Sequence, residues 1–423
     1  MIDSGTTGFM MISAMLVVLM TPGLAFFYGG LSRRKNVVNT MFMVLVVMGV
    51  IGFTWILIGW TIAYGGDGSN PIIGGFDQIL LLDGSALNDV SGDPDSGSGY
   101  PRIVDFAFQI AFAFITSGIL TGALAGRMKF KSLIAFIAVW NIFVYAPLAH
   151  MVWGGDGSLI GDMIGALDFA GGDVVHIASG IGGLVLCILL GKRREYGVVT
   201  YRAHNVPFVL LGTALLWFGW FGFNAGSAFA ADNVAGLALV TSIIAPACAM
   251  ISWMVTERIC TGKVTIVGAC TGVLTGLVVI TPAAGFVAPW AAVIMGIIVA
   301  PICYFAISVL KKKFGYDDAL DAFGAHGVGG IVGGILTGIF CIPDLSWTDY
   351  GGLIYTGDAH LLLAQILGIV ITIVFVAVLT AIIGFIIEKC SHNSLAVDPK
   401  DESRGLDATI HGELAYPSFD GLD

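Results

Sequence analysis

The chain has 423 residues, of which 57% are hydrophobic and only 11% charged, and its net charge is −10. A soluble domain carries about 25% charged residues, so this composition excludes an ordinary soluble enzyme or binding module. The acidic excess falls largely in loops and in the C-terminal tail, so the net charge says little about a nucleic-acid partner, and none is expected.

In chain order, the N-terminus MIDSGTTGFMM has no basic stretch and runs directly into an apolar segment. The first element is therefore expected to be a membrane span and not a cleavable signal. Apolar segments recur as far as Ile387, each long enough to cross about 30 Å of hydrocarbon. They predict an all-α polytopic membrane protein with eleven transmembrane helices, at roughly 8–28, 37–63, 103–124, 132–151, 172–191, 207–229, 235–256, 265–281, 289–309, 321–341 and 360–388. The 59 glycines, with Gly327, Gly329, Gly330, Gly333 and Gly334 in one run, are the small residues that let membrane helices pack closely.

The longest loop, Gly65 to Pro101, follows span 2 and holds Asp67, Asp77, Asp83, Asp89, Asp93 and Asp95. It reads either as an acidic collar that concentrates cations at a mouth or as a solvated loop that avoids positive charge for topological reasons. Basic residues follow the odd-numbered spans: Arg33 to Lys35, Arg127 to Lys131, Lys192 to Arg202, Arg258 and Lys263, Lys311 to Lys313, and Lys389, Lys400 and Arg404. Of the 19 Lys and Arg, only Arg102 falls on the other side. Cytoplasmic loops carry the positive charge, which predicts the N-terminus outside and the C-terminus inside.

An odd number of spans per half produces an inverted repeat. The halves are expected at about 8–191 and 207–341, with an eleventh helix at about 360–388, making a membrane domain over 1–388 and a cytoplasmic tail over 389–423. Span 5 carries His176 with Gly180 and Gly183 after it; span 10 carries His326 with Gly330 and Gly333 at the same offsets. The seven cysteines lack CxxC spacing, which suggests neither a zinc site nor a disulfide framework. No cofactor or metal is expected.

Ionisable groups in apolar spans are costly and point to function. Asp168, His176 and His326 stand out. Imidazole donates at one ring nitrogen and accepts at the other, so two facing imidazoles suit a small hydrogen-bonding solute or a proton relay. Aromatic residues supply the other half: Trp153, Phe112, Trp220 and Phe223, with Ser227 beyond them. A cation over such a ring gains about 0.5–2 kcal/mol. The other reading of these rings is an interfacial aromatic belt.

The segments FYGGLSRRKN (27–36), AFQIAFAFIT (107–116), DFAGGDVVH (168–176), WFGFNAGSA (220–228), TPAAG (281–285) and FGAHGVGGIVGG (323–334) together resemble the ammonium transporter family, Amt/Mep/Rh, in its microbial Amt branch. The resemblance spans essentially the whole chain. It implies a homotrimer in the cell membrane with one pore per subunit. Trp153, Phe112 and Ser227 match the family's outer ammonium site, with Asp168 and Thr281 associated with it. Phe112 and Phe223 match its stacked gate, and His176, His326 and Trp220 match its pore lining. Asp168 is expected mainly to brace span 5. Gly405, Leu406, Asp407, His411, Gly412, Glu413 and Tyr416 match a regulatory tail, and a PII-type signal protein is the implied partner at the cytoplasmic face. Asp173 departs from the pattern, since relatives usually carry an uncharged residue there. Two other readings stand beside the transporter: a sensor signalling through the tail, and an intramembrane enzyme, for which no Walker, HExxH or nucleophile motif is found.

Overall fold

The computed structural model describes residues 2–92, 97–199 and 201–416. Asp93 and Asp95 of the acidic loop, and the end of the tail at 417–423, lie outside the described residues. Among these, eleven helices are long and apolar enough to cross a membrane. They are Ser4–Leu31, Arg34–Tyr64, Arg102–Leu124, Phe130–Trp153, Gly172–Leu190, Val206–Gly226, Asn233–Thr261, Ile266–Ala283, Pro289–Phe314, Phe323–Phe340 and His360–Cys390. The number and order match the apolar pattern. Spans 7 and 9 run a turn or more further than the apolar windows imply, because Glu257, Arg258 and Lys311 to Lys313 continue a helix readily once it has left the hydrocarbon. Both then stop at a glycine in the left-handed region, Gly262 and Gly315.

Burial sorts the helices into layers. In spans 5 and 8, 78% of the central window is buried, against 33% in spans 2, 9 and 11. The first group therefore forms the interior, and the second presents side chains such as Phe53, Leu363, Val374 and Phe385 outward, as a lipid-facing surface requires. All seven cysteines are free thiols.

Two close crossings organise the interior, and each joins equivalent spans of the two halves. Spans 1 and 6 meet along a seam of small residues, where a Cβ on Gly212 would stand 2.3 Å from the Phe27 nitrogen. Spans 5 and 10 cross at the two histidines. A Cβ on Gly180 would lie 2.3 Å from the Gly327 nitrogen, and one on Gly330 would lie 2.9 Å from Ile177 Cγ1 and 3.2 Å from His176 Cβ. The glycine four residues after each histidine thus makes room for the turn that bears the other.

The basic loops gather at one end of the molecule, and the tail folds back over them. The tail is pinned at its bend, where Asp407 Oδ1 accepts from the Asn39 N–H (2.8 Å) and Asn36 Oδ1 accepts from the Leu406 N–H (2.9 Å). Further along, His411 contacts Asn39 (3.0 Å) and packs its ring on Phe42 and Phe130. Tyr416 accepts from the Asn205 amide (2.9 Å) and contacts His204.

Candidate functional site

Span 5 begins in an unusual way. Asp168 stands in the turn just ahead of it, and both carboxylate oxygens accept backbone N–H groups: Gly171 and Gly172 on Oδ1 (2.7 and 2.6 Å), Asp173 and Val174 on Oδ2 (2.8 and 3.3 Å). Four N–H groups open at any helix start; here one side chain takes all of them. The first turn, Gly172–Ile177, is π-helical and holds His176. Span 10 repeats the device. Asp318 accepts from the Ala322 and Phe323 N–H groups (3.1 and 2.8 Å), and the π-helical turn Phe323–Gly327 holds His326. Such single π turns concentrate at functional sites because they re-aim side chains out of the helical register. In each case the histidine follows its aspartate by eight positions.

The two turns bring the histidines together. His176 Nδ1 and His326 Nδ1 lie 3.3 Å apart, with ring centroids 5.3 Å apart. Both residues are buried, and His176 Nε2 has no hydrogen-bond partner. One Nδ1 must donate to the other, so the neutral pair presents an acceptor at one Nε2 and a donor N–H at the other. Trp220 lies against His176 at 5.4 Å between centroids. Its indole N–H donates to Thr281 Oγ1 (2.9 Å), and Thr281 in turn donates to the Leu277 carbonyl (2.8 Å).

Beside this pair, two phenyl rings are stacked. Phe112 and Phe223 are parallel within 17°, 4.1 Å between centroids, and both are buried. Phe223 also lies over His176 at 6.1 Å. Trp153 stands perpendicular to Phe112 at 5.9 Å, oriented by its indole N–H donating to the Asp168 carbonyl (2.8 Å). Ser227 donates to the Phe223 carbonyl (2.9 Å), which leaves its oxygen free to accept. Phe112, Trp153, Asp168 and Ser227 line one open cavity of about 600 Å³. The arrangement is a polar, aromatic antechamber, a double phenyl plug, and a histidine pair beyond it.

The structure therefore joins Trp153, Phe112, Phe223, Ser227, Asp168, Trp220, His176 and His326 in one continuous stack. Thr281 joins it from behind, as the brace of Trp220, and is not among the residues lining that cavity. Asp173 packs toward Thr372 of span 11, with Oδ1 unpartnered among the described residues. Asp318 was not singled out from the sequence. The signal that could have found it is its offset to His326, which repeats that of Asp168 to His176.

At the basic end, a second cavity of about 580 Å³ is lined in part by Arg33, Arg193, Arg202 and Tyr201. Arg193 is fixed by Asp317 through two side-chain contacts (2.6 and 2.9 Å), with Arg127 donating to the Asp317 carbonyl (2.5 Å). Burial alone would raise the Asp317 carboxyl. The hydrogen bonds and charge of Arg193, with the Arg127 charge, outweigh burial and hold it below the usual value. Its neighbour Asp318 goes the other way: burial pushes it up to about 6, against the Lys311 charge and the two N–H groups it caps.

A many-spanned, closely packed helical bundle with a plugged central path, a cation-suited antechamber at one end and basic residues at the other is a membrane transport protein by architecture. Comparison with known proteins narrows the class. The model of the Ammonium Transporter Family matches residues 8–416. An ammonium transporter of Bacillus subtilis (strain 168) is 46% identical, over 97% of this chain and 98% of its own length. The crystal structure of Saccharomyces cerevisiae Mep2 superposes with a TM-score of 0.87 at 33% identity, covering 100% of this chain and 93% of that one. A structure described as a sensor Amt protein superposes at 0.85 with 28% identity, over 96% of this chain and 98% of that one. The chain belongs to the ammonium transporter family, and it acts in ammonium transport across a membrane and not as an enzyme.

Proposed function

We propose that ammonium is received in the outer cavity by Trp153, Phe112 and Ser227, loses its proton near the Phe112/Phe223 pair, and crosses as ammonia along the His176/His326 pair. The observation that carries this reading is the direct Nδ1 contact of two buried histidines immediately beyond the phenyl plug. A cation over aromatic faces gains about 0.5–2 kcal/mol, enough for weak capture. A permanent ion would then have to cross a buried path, which is costly in a membrane interior. A weak acid that sheds its proton avoids that cost, and ammonia finds an acceptor and a donor on the histidine pair. The proton returns outside or is relayed separately.

In this reading the outer cavity faces the exterior of a cell membrane and the basic end faces the cytoplasm, with the pore-forming domain over 1–388 and a regulatory tail over 389–423. Asp407, His411 and Tyr416 clasp that tail to the basic loops, and a PII-type protein would approach the Arg-lined cavity beside it. The assembly proposed is a homotrimer embedded in lipid. A second reading, an ammonium sensor, draws on the tail's contacts with the loops and on the likeness to the sensor Amt structure. Proteoliposomes on a solid-supported membrane test the proposal. A saturable current on ammonium pulses, absent for potassium and for empty liposomes, supports transport with net charge. Absence of both a current and an ammonia-driven internal pH change would refute the conduction route and leave the sensor.

A further inference from the structure

Span 3 carries polar groups that the route above does not use. Asp105, Gln109 and Phe112 fall at spacings of four and three, on one face of the helix, and all three line the outer cavity, as does Tyr64 from the end of span 2. Gln109 is only 4% exposed. Among the described residues, its Oε1, the Asp105 Oδ1 and the Tyr64 hydroxyl all lack a hydrogen-bond partner. The second Asp105 oxygen accepts from Ser91 Oγ at 3.3 Å. The basic side chain closest in sequence does not answer this need: Arg102 donates to the Tyr64 carbonyl (2.8 Å) and reaches toward Asp89 (3.9 Å).

Tyr100 in the same lining also brings its hydroxyl to Asp105, and among the described residues Asp105 Oδ1 and Gln109 Oε1 still remain as acceptors without a donor. An unpaired buried acceptor is costly, and a carboxylate among them sets the sign of whatever relieves it. An anion is repelled by the carboxylate, and a solute that only accepts leaves both of those oxygens unpaired. A small monovalent cation that donates in several directions satisfies all three groups, and ammonium donates four N–H groups and accepts none.

We propose that Asp105 and Gln109, with Tyr64, form a second ammonium subsite in the outer cavity, seven residues and about 10 Å along span 3 from Phe112. It rests on the reading that this cavity receives ammonium. An ion held there waits one step outside the Trp153/Phe112/Ser227 site and moves inward along the same helix face as that site empties. The role is to load the inner site at low external ammonium.

The test is the ammonium dependence of the current for Asp105→Asn, Gln109→Leu and the isosteric Gln109→Glu, each first shown to melt as the parent does. Asp105→Asn and Gln109→Leu are expected to raise the half-saturating concentration about three- to tenfold, while Gln109→Glu lowers it. An effect of Asp105→Asn with none from Gln109→Leu overturns the subsite, since charge acting at a distance then suffices. Crystals soaked in thallium(I), a monovalent cation close to ammonium in size, give a reading independent of transport. An anomalous peak touching Asp105 Oδ1 and Gln109 Oε1 is expected, and its absence overturns the subsite even where currents are intact. Absence in the parent protein of both a saturable ammonium current and an ammonia-driven internal pH change would instead strike the transport reading itself.

Discussion

The starts of spans 5 and 10 are the same device facing opposite ways. Each has an aspartate capping a π-helical turn, a histidine eight residues on, and a glycine four residues later against the partner's turn. Their surroundings differ. Asp168 takes four N–H groups and lines an open cavity beside Trp153. Asp318 takes two, and the chain around it is tied to cations: Lys311 donates to its carbonyl (2.7 Å) and Arg193 pairs with Asp317 next door. The repeat therefore sets the backbone, and charge distinguishes the ends. Acceptors at one end suit a cation, and fixed cations at the other disfavour one.

The comparison is broken most severely at the caps. Asp168→Ala strands four N–H groups at a helix start, each costing about 1–3 kcal/mol, and should leave little folded protein in detergent. Asp318→Ala strands two and should be the milder change. Equal melting losses would mean that the caps do not act through these bonds. At the crossing, the effect should be smaller, about 1–3 kcal/mol for forced overpacking. Gly180→Ala meets the Gly327 nitrogen at 2.3 Å, whereas the tightest approach of Gly330→Ala is 2.9 Å to Ile177 Cγ1 and 3.0 Å to the Gly172 carbonyl oxygen. Gly180→Ala should therefore lose more melting temperature and more ammonium flux, and the reverse order would contradict the crossing geometry.

The smallest effect is on pH dependence, where two adjacent carboxylates oppose each other. Asp317 is held low, so its contribution to stability is complete above the usual carboxylate value of about 3.9 and is lost as the pH falls through its folded value. Asp318 is raised to about 6. Its contribution is complete below about pH 4 and is lost as the pH rises through about 6. Relative to Asp318→Asn, the parent should lose melting temperature across that window; parallel profiles would refute the assignment.

Much of this was legible in the sequence, for physical reasons. Eleven spans follow from hydrocarbon thickness, and His176 and His326 show because ionisable residues are conspicuous in apolar helices. The glycines at matching offsets after them show in the sequence too, and the crossing supplies their reason. Asp318 escaped notice because it lies among Asp317, Asp321 and the lysines of the preceding helix end, where an acidic residue looks like an ordinary loop charge. Thr281 shows a different limit. Its place by resemblance was near the outer site, but sequence carries no sign that its hydroxyl is turned to the Trp220 indole. The extensions of spans 7 and 9 were hidden because apolarity marks the membrane and not the end of the helix.

The central claim is that the histidine pair lets ammonium through in a form potassium cannot take. It is tested most directly by ammonium and potassium pulses on proteoliposomes of the parent and of the His176→Ala/His326→Ala variant, matched for folded protein. The account predicts a saturable ammonium response with no potassium response in the parent, and loss of selective ammonium transport in the variant. Full ammonium flux with potassium still excluded in the variant would contradict it.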